Sequence, residues 1–400
     1  MIPHESYRLV YEIDSETVWL LVNGRRCASN GRGGKAKIFP QARERRQSID
    51  PAPAECEDGP LFPGDIHDMT RAIEVLGLGN SLVDIIAQTG EEYLVAQQMQ
   101  KGAMTLIDEP RAEALYAARV APTIMSGGSA ANTVVGVGSF GVKGAYIGKV
   151  KNDPLGGHFT HDIRAMGVDF ATSHATEGPG TGRCLIYVTP DGERTMNTYL
   201  GASTFLSPPD VDEALVRSAG IIYLEGYMWD REAAKAAFQK AARIAHEAGA
   251  RVALTLSDSF CVDRFRSEFL DLMRNGFVDT IFSNTDEVLS LYETDNFGAA
   301  LGALRAEGVL GVVTRSEKGS IVLHGEETHE VPAFPIDRLV DTTGAGDLFA
   351  AGFLAGMARG AHHVVCAQLG ALAAAEVIQH LGARPQVGLA ALAAEHGIAL

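Results

Sequence analysis

The chain has 400 residues, 46% of them hydrophobic and 7% aromatic, enough to bury a sizeable core in one large α/β unit or two smaller ones. A charged fraction of 21% and a mean hydropathy of +0.03 argue against disorder over most of the length. Thirty-four basic against fifty acidic residues leave a net charge of −16, which excludes a globally basic nucleic-acid binder but not an anionic substrate held by backbone N–H groups.

Residues 1–70 differ from the rest. Met1–Val10 (MIPHESYRLV) lacks the basic and apolar regions of a secretory leader. Tyr7–Val22 alternates apolar residues around an Asp-Ser turn and reads as a β-hairpin. From Gly24 to Arg46 eight basic residues face Glu44 alone, and a Pro-rich acidic stretch runs from Asp50 to Pro63; this composition reads as a disordered linker. The hairpin, YRLVYEID followed by VWLLV, resembles the C-terminal hairpin of RelE/ParE-type toxins, without the remainder of that fold. Residues 1–70 are therefore expected to be an extension or an over-extended start, with 71–400 the working domain; a working fusion of a toxin-like unit with that domain is the alternative.

From Ile73 onward, strands and helices alternate. Apolar runs at Ile73–Leu78, Ala145–Val150, Ile221–Glu225, Arg251–Leu256, Thr280–Ser283 and Gly311–Thr314 read as strands. The clearest intervening helix, Arg231–Glu247, puts Ala237, Phe238, Ala241, Ile244 and Ala245 on one face. The pattern predicts βαβ units in a doubly wound, mostly parallel α/β sheet, with ligands at the carboxyl ends of the strands. Gly182–Val188 and Arg194–Tyr199, joined by Pro190-Asp191-Gly192, read as an inserted hairpin. With the segment Tyr93–Leu106 it predicts a small β-rich lid over about residues 86–123 and 180–203.

No apolar run reaches the roughly 18–20 residues of a membrane helix. The five cysteines are scattered, without a C-x-x-C pair. A soluble, cytoplasmic protein with reduced thiols is expected.

The strings able to carry chemistry follow strand ends. Gly77–Asp84 (GLGNSLVD) begins like a dinucleotide fingerprint but lacks its third glycine. Asn80 and Asp84 read better as a polar pair accepting from vicinal hydroxyls. In Ser126–Thr133 (SGGSAANT), Gly127 and Gly128 let backbone approach a ligand, and Asn132 sits where its amide can meet a substrate hydroxyl; a helix-capping loop uses the same letters. Asn284 and Glu287, in N-x-x-E spacing after a strand, share one helical face and suit Mg²⁺ through water, or equally ordinary capping. Thr314–Gly319 is a strand-to-turn segment suited to nucleotide phosphates.

The most informative string is Leu339–Phe353 (LVDTTGAGDLFAAGF). Gly344, Ala345 and Gly346 open an apolar helix, so consecutive amides and the helix dipole meet at one point, an anion hole for a transferring phosphate. Asp347, in the first turn, can accept a hydroxyl proton as that hydroxyl attacks phosphorus. The pairs His158/His161 and His362/His363 lack metal-spaced partners, and there is no Walker A string or nucleophile elbow.

In this order the strings resemble the ribokinase-like (PfkB) carbohydrate and nucleoside kinase family across about residues 72–385: SGGSAANT its first signature, DTTGAGDLFAAGF its second. The resemblance implies a ribokinase-like fold, with Asp347 as base and Gly344, Ala345 and Gly346 as anion hole. It places Gly127, Gly128 and Asn132 beside Asn80 and Asp84 around the acceptor. Asn284, Thr314, Gly319 and Thr343 fall to ATP, and Asn284 and Glu287 to Mg²⁺. Asp341 and Thr343 stand where many members hold a monovalent cation such as K⁺. The opening GNSLVDII is similar to that of adenosine kinases, and Ser129 replaces the Lys of many ribokinases. The implied reaction is ATP-dependent phosphorylation of a nucleoside 5′-hydroxyl, adenosine to AMP, in purine salvage. Tyr227, Met228 and Trp229 are then candidates for the base slot, and Arg194 on the lid for phosphate. A ribose or fructose kinase is the alternative within the family; a non-catalytic nucleoside-binding regulator is the alternative outside it, and would be expected to have lost the base or the anion hole. Partners are expected to be small molecules, with no nucleic acid or membrane, and the protein a monomer or homodimer.

Overall fold

The computed structural model describes residues 71–118 and 122–400, together with the backbone of three short strands nearer the N-terminus. The chain divides into two compact units, Met1–Pro60 and Leu61–Leu400. In the first unit β1 (Val10–Asp14) pairs antiparallel with β2 (Thr17–Val22), as the alternation predicts. β2 then pairs with β3 (Arg25–Ser29). That third strand corrects the reading of a linker from Gly24, since Arg25–Ser29, inside the basic stretch, is paired in a sheet. The remainder of the expected linker, 30–70, lies outside the described residues.

The second unit is built on nine strands in the order β17 (Glu327–Val331), β16 (Ser320–His324), β15 (Leu310–Thr314), β14 (Thr280–Asn284), β13 (Arg251–Thr255), β12 (Ala219–Glu225), β4 (Ile73–Leu78), β8 (Gly144–Ile147) and β9 (Asp169–Phe170). All pairings from β15 to β9 are parallel; β16 and β17 close one edge as an antiparallel hairpin. Successive strand residues serve opposite faces. Val75, Tyr223, Ala253, Phe282 and Val312 pack beneath the helices Ser129–Ser139, Ala345–Ala358 and His363–Val377. Their neighbours Leu76, Leu224, Leu254, Ile281 and Val313 pack beneath Glu232–Glu247, Ser259–Arg274 and Phe297–Ala306. Burial on both faces explains why these strands read as continuous apolar runs. Among the described residues, no helix is long and apolar enough to cross a membrane.

The lid is a five-stranded sheet in the order β6 (Met104–Leu106), β11 (Arg194–Tyr199), β10 (Gly182–Val188), β5 (Leu82–Gln88) and β7 (Thr123–Gly127). It begins at Leu82, earlier than the expected 86, because Gly79–Ser81 turns the chain directly from β4 into β5 with no helix between. It also runs on to Gly127, past the expected 123, so the first glycine signature starts inside the lid. Register sets what its two faces carry. Cys184 lies opposite Asp84 and Ile186 opposite Ile86, while Arg194, Met196 and Thr198 lie opposite Val188, Ile186 and Cys184. One face therefore presents Asp84, Ile86, Cys184, Ile186, Val188, Arg194 and Met196. The other buries Ala87, Leu185, Tyr187 and Tyr199 against Leu94 and Leu115.

Candidate active site

Asp347 sits in the first turn of the helix Ala345–Ala358, half-buried, and two side chains grip its carboxylate. Ser129 Oγ donates to Oδ1 at 2.6 Å and Asn132 Nδ2 to Oδ2 at 2.9 Å. Both donors come from the first turn of Ser129–Ser139, so the two glycine signatures meet at this contact. Burial holds the Asp347 carboxyl above the usual aspartate range, opposed by the Ser129 and Asn132 hydrogen bonds and by the charge of Arg384. Asn132, expected on a substrate hydroxyl, gives its Nδ2 to Asp347, while its buried Oδ1 has no hydrogen-bond partner. Its spacing from Ser129 places both on the face of the helix turned toward that carboxylate.

The amides left without an intrahelical acceptor lie later in the turn than the Gly344–Gly346 string expected to form an anion hole. Gly344 enters the helix in the left-handed region, φ +78°, where a Cβ would come within 2.6 Å of the Ala383 Cβ. The Ala345 N–H donates to Thr342 O at 3.2 Å, and the first intrahelical bond runs from Leu348 N to Gly344 O. The amides of Gly346 and Asp347 thus have no intrahelical acceptor, and Gly346 borders open space.

On the acceptor side, Gly128 has φ +102°, and a Cβ there would stand 2.1 Å from the Asn80 carbonyl oxygen; a Cβ on Gly127 would strike the Asp84 carboxylate at 2.4 Å. Asp84 is half-buried, and burial pushes its carboxyl up to about 6 against the lowering influence of Arg384 and Arg194. Asn80, expected to act with Asp84, is engaged elsewhere. Its Nδ2 donates to Glu225 Oε1 at 2.6 Å and its Oδ1 accepts from Ser203 Oγ at 2.8 Å, so the side chain is a structural tie between β4 and β12 rather than a hydroxyl ligand.

Two residues that no motif marked complete the cleft. Glu225, at the end of β12, is buried, also accepts from Ala130 N at 2.9 Å, and is raised by burial to about 7. A carboxylate closing an otherwise apolar strand was the available signal. Arg384, in Gly-Ala-Arg-Pro after the last long helix, donates to backbone carbonyls of the SGGSAANT turn. Nothing in its local sequence distinguishes it from a surface arginine.

Several expected roles do not fit. Met228 and Trp229 are buried in the core, with Trp229 Nε1 donating to Glu268 and its ring packed on Phe238 and Phe269, so neither can line a base slot. Tyr227 remains partly exposed but turns its hydroxyl to Ser257 O at 3.2 Å. Asn284 and Glu287 close on each other as a capping box: Asn284 N and Nδ2 donate to Glu287 Oε2 and Oε1, and Glu287 N to Asn284 Oδ1. Burial raises Glu287 to about 7, and its two oxygens and Asn284 Oδ1 each accept one hydrogen bond within the box. Asp341 is buried, accepts from Thr343 N and Gly382 N, and pairs with Arg194 of the lid at 2.7 Å. A guanidinium thus supplies the positive charge expected there from a monovalent cation, and Thr343 contributes its amide to that carboxylate. Thr314 lies opposite Asn284 at the ends of neighbouring strands. Gly319 has φ +82° where a Cβ would strike Val331 O at 2.0 Å, so it is required by the β15–β16 turn itself.

The model of the family described as pfkB family carbohydrate kinase matches residues 117–387. The chain belongs to the pfkB family. It is therefore a phosphotransferase acting on an alcohol group. Among solved pfkB-related structures, the adenosine kinase from Sinorhizobium meliloti is 51% identical, with a TM-score of 0.76 over 81% of this chain and 99% of that one. A probable sugar kinase from Rhizobium etli CFN 42 is 50% identical, with a TM-score of 0.77 over 82% of this chain and 99% of the other. The adenosine kinase of Saccharomyces cerevisiae is 28% identical over 338 residues, 78% of this chain and 96% of the relative.

Proposed function

We propose that the chain transfers the γ-phosphate of ATP to the 5′-hydroxyl of a nucleoside, with adenosine as acceptor and AMP as product. The observation that carries this reading is the Asp347 carboxylate, fixed by Ser129 and Asn132 beside the first-turn amides of Gly346 and itself. A hydroxyl placed against Asp347 loses its proton as its oxygen attacks phosphorus, and the amides receive the charge that develops on the transferring phosphate. Asp84, across the cleft on the lid, accepts from the ribose hydroxyls, and Gly127 leaves the room this requires.

The slot for the base is the apolar part of the same lid face, Ile86, Cys184, Ile186, Val188 and Met196. It replaces the Tyr227–Trp229 assignment and suits a flat heterocycle better than a free sugar. Arg194 stands on this face with its guanidinium buried and without a well-aligned hydrogen bond, suited to a phosphate oxygen once the nucleotide is bound. The ends of β14 and β15, with Asn284 and Thr314, border the nucleotide side. Mg²⁺ bound with ATP would offset phosphate charge, with Asn284 and Glu287 reaching it through water.

A sugar kinase is the second reading, favoured by the similarity to the Rhizobium etli protein. Initial rates with adenosine, inosine, ribose and fructose at equal ATP separate the two. Adenosine should exceed both free sugars by at least a hundredfold in kcat/KM, on the order of the contribution of a buried apolar ring. Turnover of free sugars alone would defeat the nucleoside reading.

A further inference from the structure

After the helix His363–Val377 the chain returns to the cleft, and three consecutive residues each touch a different part of it. Gly382 N donates to Asp341 Oδ2 at 3.0 Å. Ala383 lies against Gly344, at the start of the anion-hole helix. Arg384 reaches across to the acceptor side, where Nη1 donates to Ala131 O at 2.8 Å and Nη2 to Ser126 O at 2.7 Å and Ser126 Oγ at 3.1 Å. Ser126 is itself held by Asp162, whose Oδ2 accepts from its N–H and its hydroxyl at 2.7 and 2.6 Å. A single short segment therefore fixes the anion hole and the glycine turn relative to each other.

We propose that Arg384 is a positioning residue for phosphotransfer: it ties the Ser126–Gly128 turn to the anion-hole segment and supplies the positive charge that lets Asp84 and Asp347 ionise together. This rests on the acceptor-site reading above. Two carboxylates in one cleft oppose each other's ionisation, and a neighbouring cation relieves that opposition. Arg384 donates to Ser126 O and Ala131 O, the carbonyls just before Gly127, which borders Asp84, and Asn132, which holds Asp347, so its charge lies close to both carboxylates; Asp162 and Tyr146 also face it. Asp84 is further faced by Arg194 and Cys184, and Asp347 by Glu225, Tyr223 and Tyr227. Of these groups only Arg384 and Arg194 carry positive charge, and Arg194 is already paired with Asp341. Removing Arg384 therefore leaves the pair short of a counter-ion, and both carboxyls should titrate at higher pH.

The test compares Arg384→Met and Arg384→Lys with wild type as full-length proteins. One readout is the ¹³C titration of the Asp84 and Asp347 carboxyls, assigned with Asp84→Asn and Asp347→Asn. The other is the pH dependence of kcat/KM for adenosine. In Arg384→Met both titrations and the acid limb should move up by about one pH unit, an ordinary effect of one nearby charge, with about a tenfold loss of kcat/KM below the limb. Arg384→Lys should keep the limb within about 0.3 unit of wild type, since its charge remains even where the fork geometry is lost. If Arg384→Met does not fold, Arg384→Gln, which keeps donors for the two carbonyls, serves in its place. Titrations that do not move in the neutral variant, or a Lys variant shifted as far as Met, would overturn the proposal. Wild-type protein that phosphorylates no alcohol would instead defeat the kinase reading, and the carboxyl titration would still decide the charge role of Arg384.

Discussion

The Arg194–Asp341 pair joins the lid to the anion-hole loop, and its two ends are unequally supported. Their side chains are 7% and 3% exposed, with a 2.7 Å separation. Asp341 keeps two backbone donors, Thr343 N and Gly382 N, whatever happens to the arginine. None of the Arg194 guanidinium nitrogens has a well-aligned acceptor, so the neighbouring charge is its main compensation. Removing one partner of a buried pair typically costs about 3–5 kcal/mol because the other charge is stranded, and Asp341→Asn should fall in that range. Arg194→Met strands a carboxylate that is still hydrogen-bonded and should cost less, about 1–3 kcal/mol. The double variant should resemble Arg194→Met, giving a coupling equal to the Asp341→Asn cost, about 3–5 kcal/mol. Urea denaturation of the four proteins at pH 7.5 reads these differences as shifts in midpoint at constant slope. Simple additivity of the two single substitutions, or an Arg194→Met cost equal to that of Asp341→Asn, would refute the reasoning. A loosened lid should also admit water, so acceptor-independent ATP hydrolysis should rise in Arg194→Met.

Gly127→Ala should raise the KM for the acceptor at least tenfold with little change in the KM for ATP, since the new Cβ would meet the Asp84 carboxylate at 2.4 Å; an unchanged acceptor KM would count against Asp84 as a ligand. Asn132→Ala and Ser129→Ala each remove a hydrogen bond to the Asp347 carboxylate, an interaction of about 1.5–3 kcal/mol. Because those bonds favour the ionised form, the acid limb of kcat should move to higher pH by about one unit, and steady-state pH profiles check this. Glu225 has a folded-state pKa raised from 4.5 to about 7, so the folded protein binds its proton more tightly than the unfolded chain does. Its ionisation then subtracts stability as pH rises from the lower value through the higher. Relative to wild type, Glu225→Gln should gain up to about 3 kcal/mol between pH 4.5 and 7.5 in urea denaturation, and a flat difference would contradict the burial argument.

The central strands were legible because burial on both faces leaves an apolar run with no alternation to confuse. Ile73–Leu78 and the hairpin Gly182–Tyr199 match their expected bounds, and the other main strands fall within two or three residues. The lid's first strand was missed because Asp84 interrupts the apolar run of Leu82–Gln88 with a charge. The edge hairpin β16–β17 went unread since Glu327–Val331 is polar and mostly exposed. In the site, DTTGAGD was informative because the proposed base and the proposed anion-hole amides are contiguous on one helix turn. Roles that depend on pairing across the fold were not legible. Asn80 carries the chemistry of a hydroxyl ligand, and only the proximity of Glu225 and Ser203 shows that both ends of its amide are already engaged. Met228 and Trp229 follow a strand end as a base slot would, but the short helix Gly226–Asp230 turns them into the core.

The base assignment for Asp347 is tested most directly by Asp347→Asn, measured for adenosine binding by calorimetry and for turnover in the same preparation. Asparagine keeps the shape and an acceptor for Ser129 but cannot take a proton. Adenosine affinity should stay within about threefold of wild type while kcat falls by about 10²–10⁴, the usual contribution of a positioned general base. A kcat within tenfold of wild type would contradict the account.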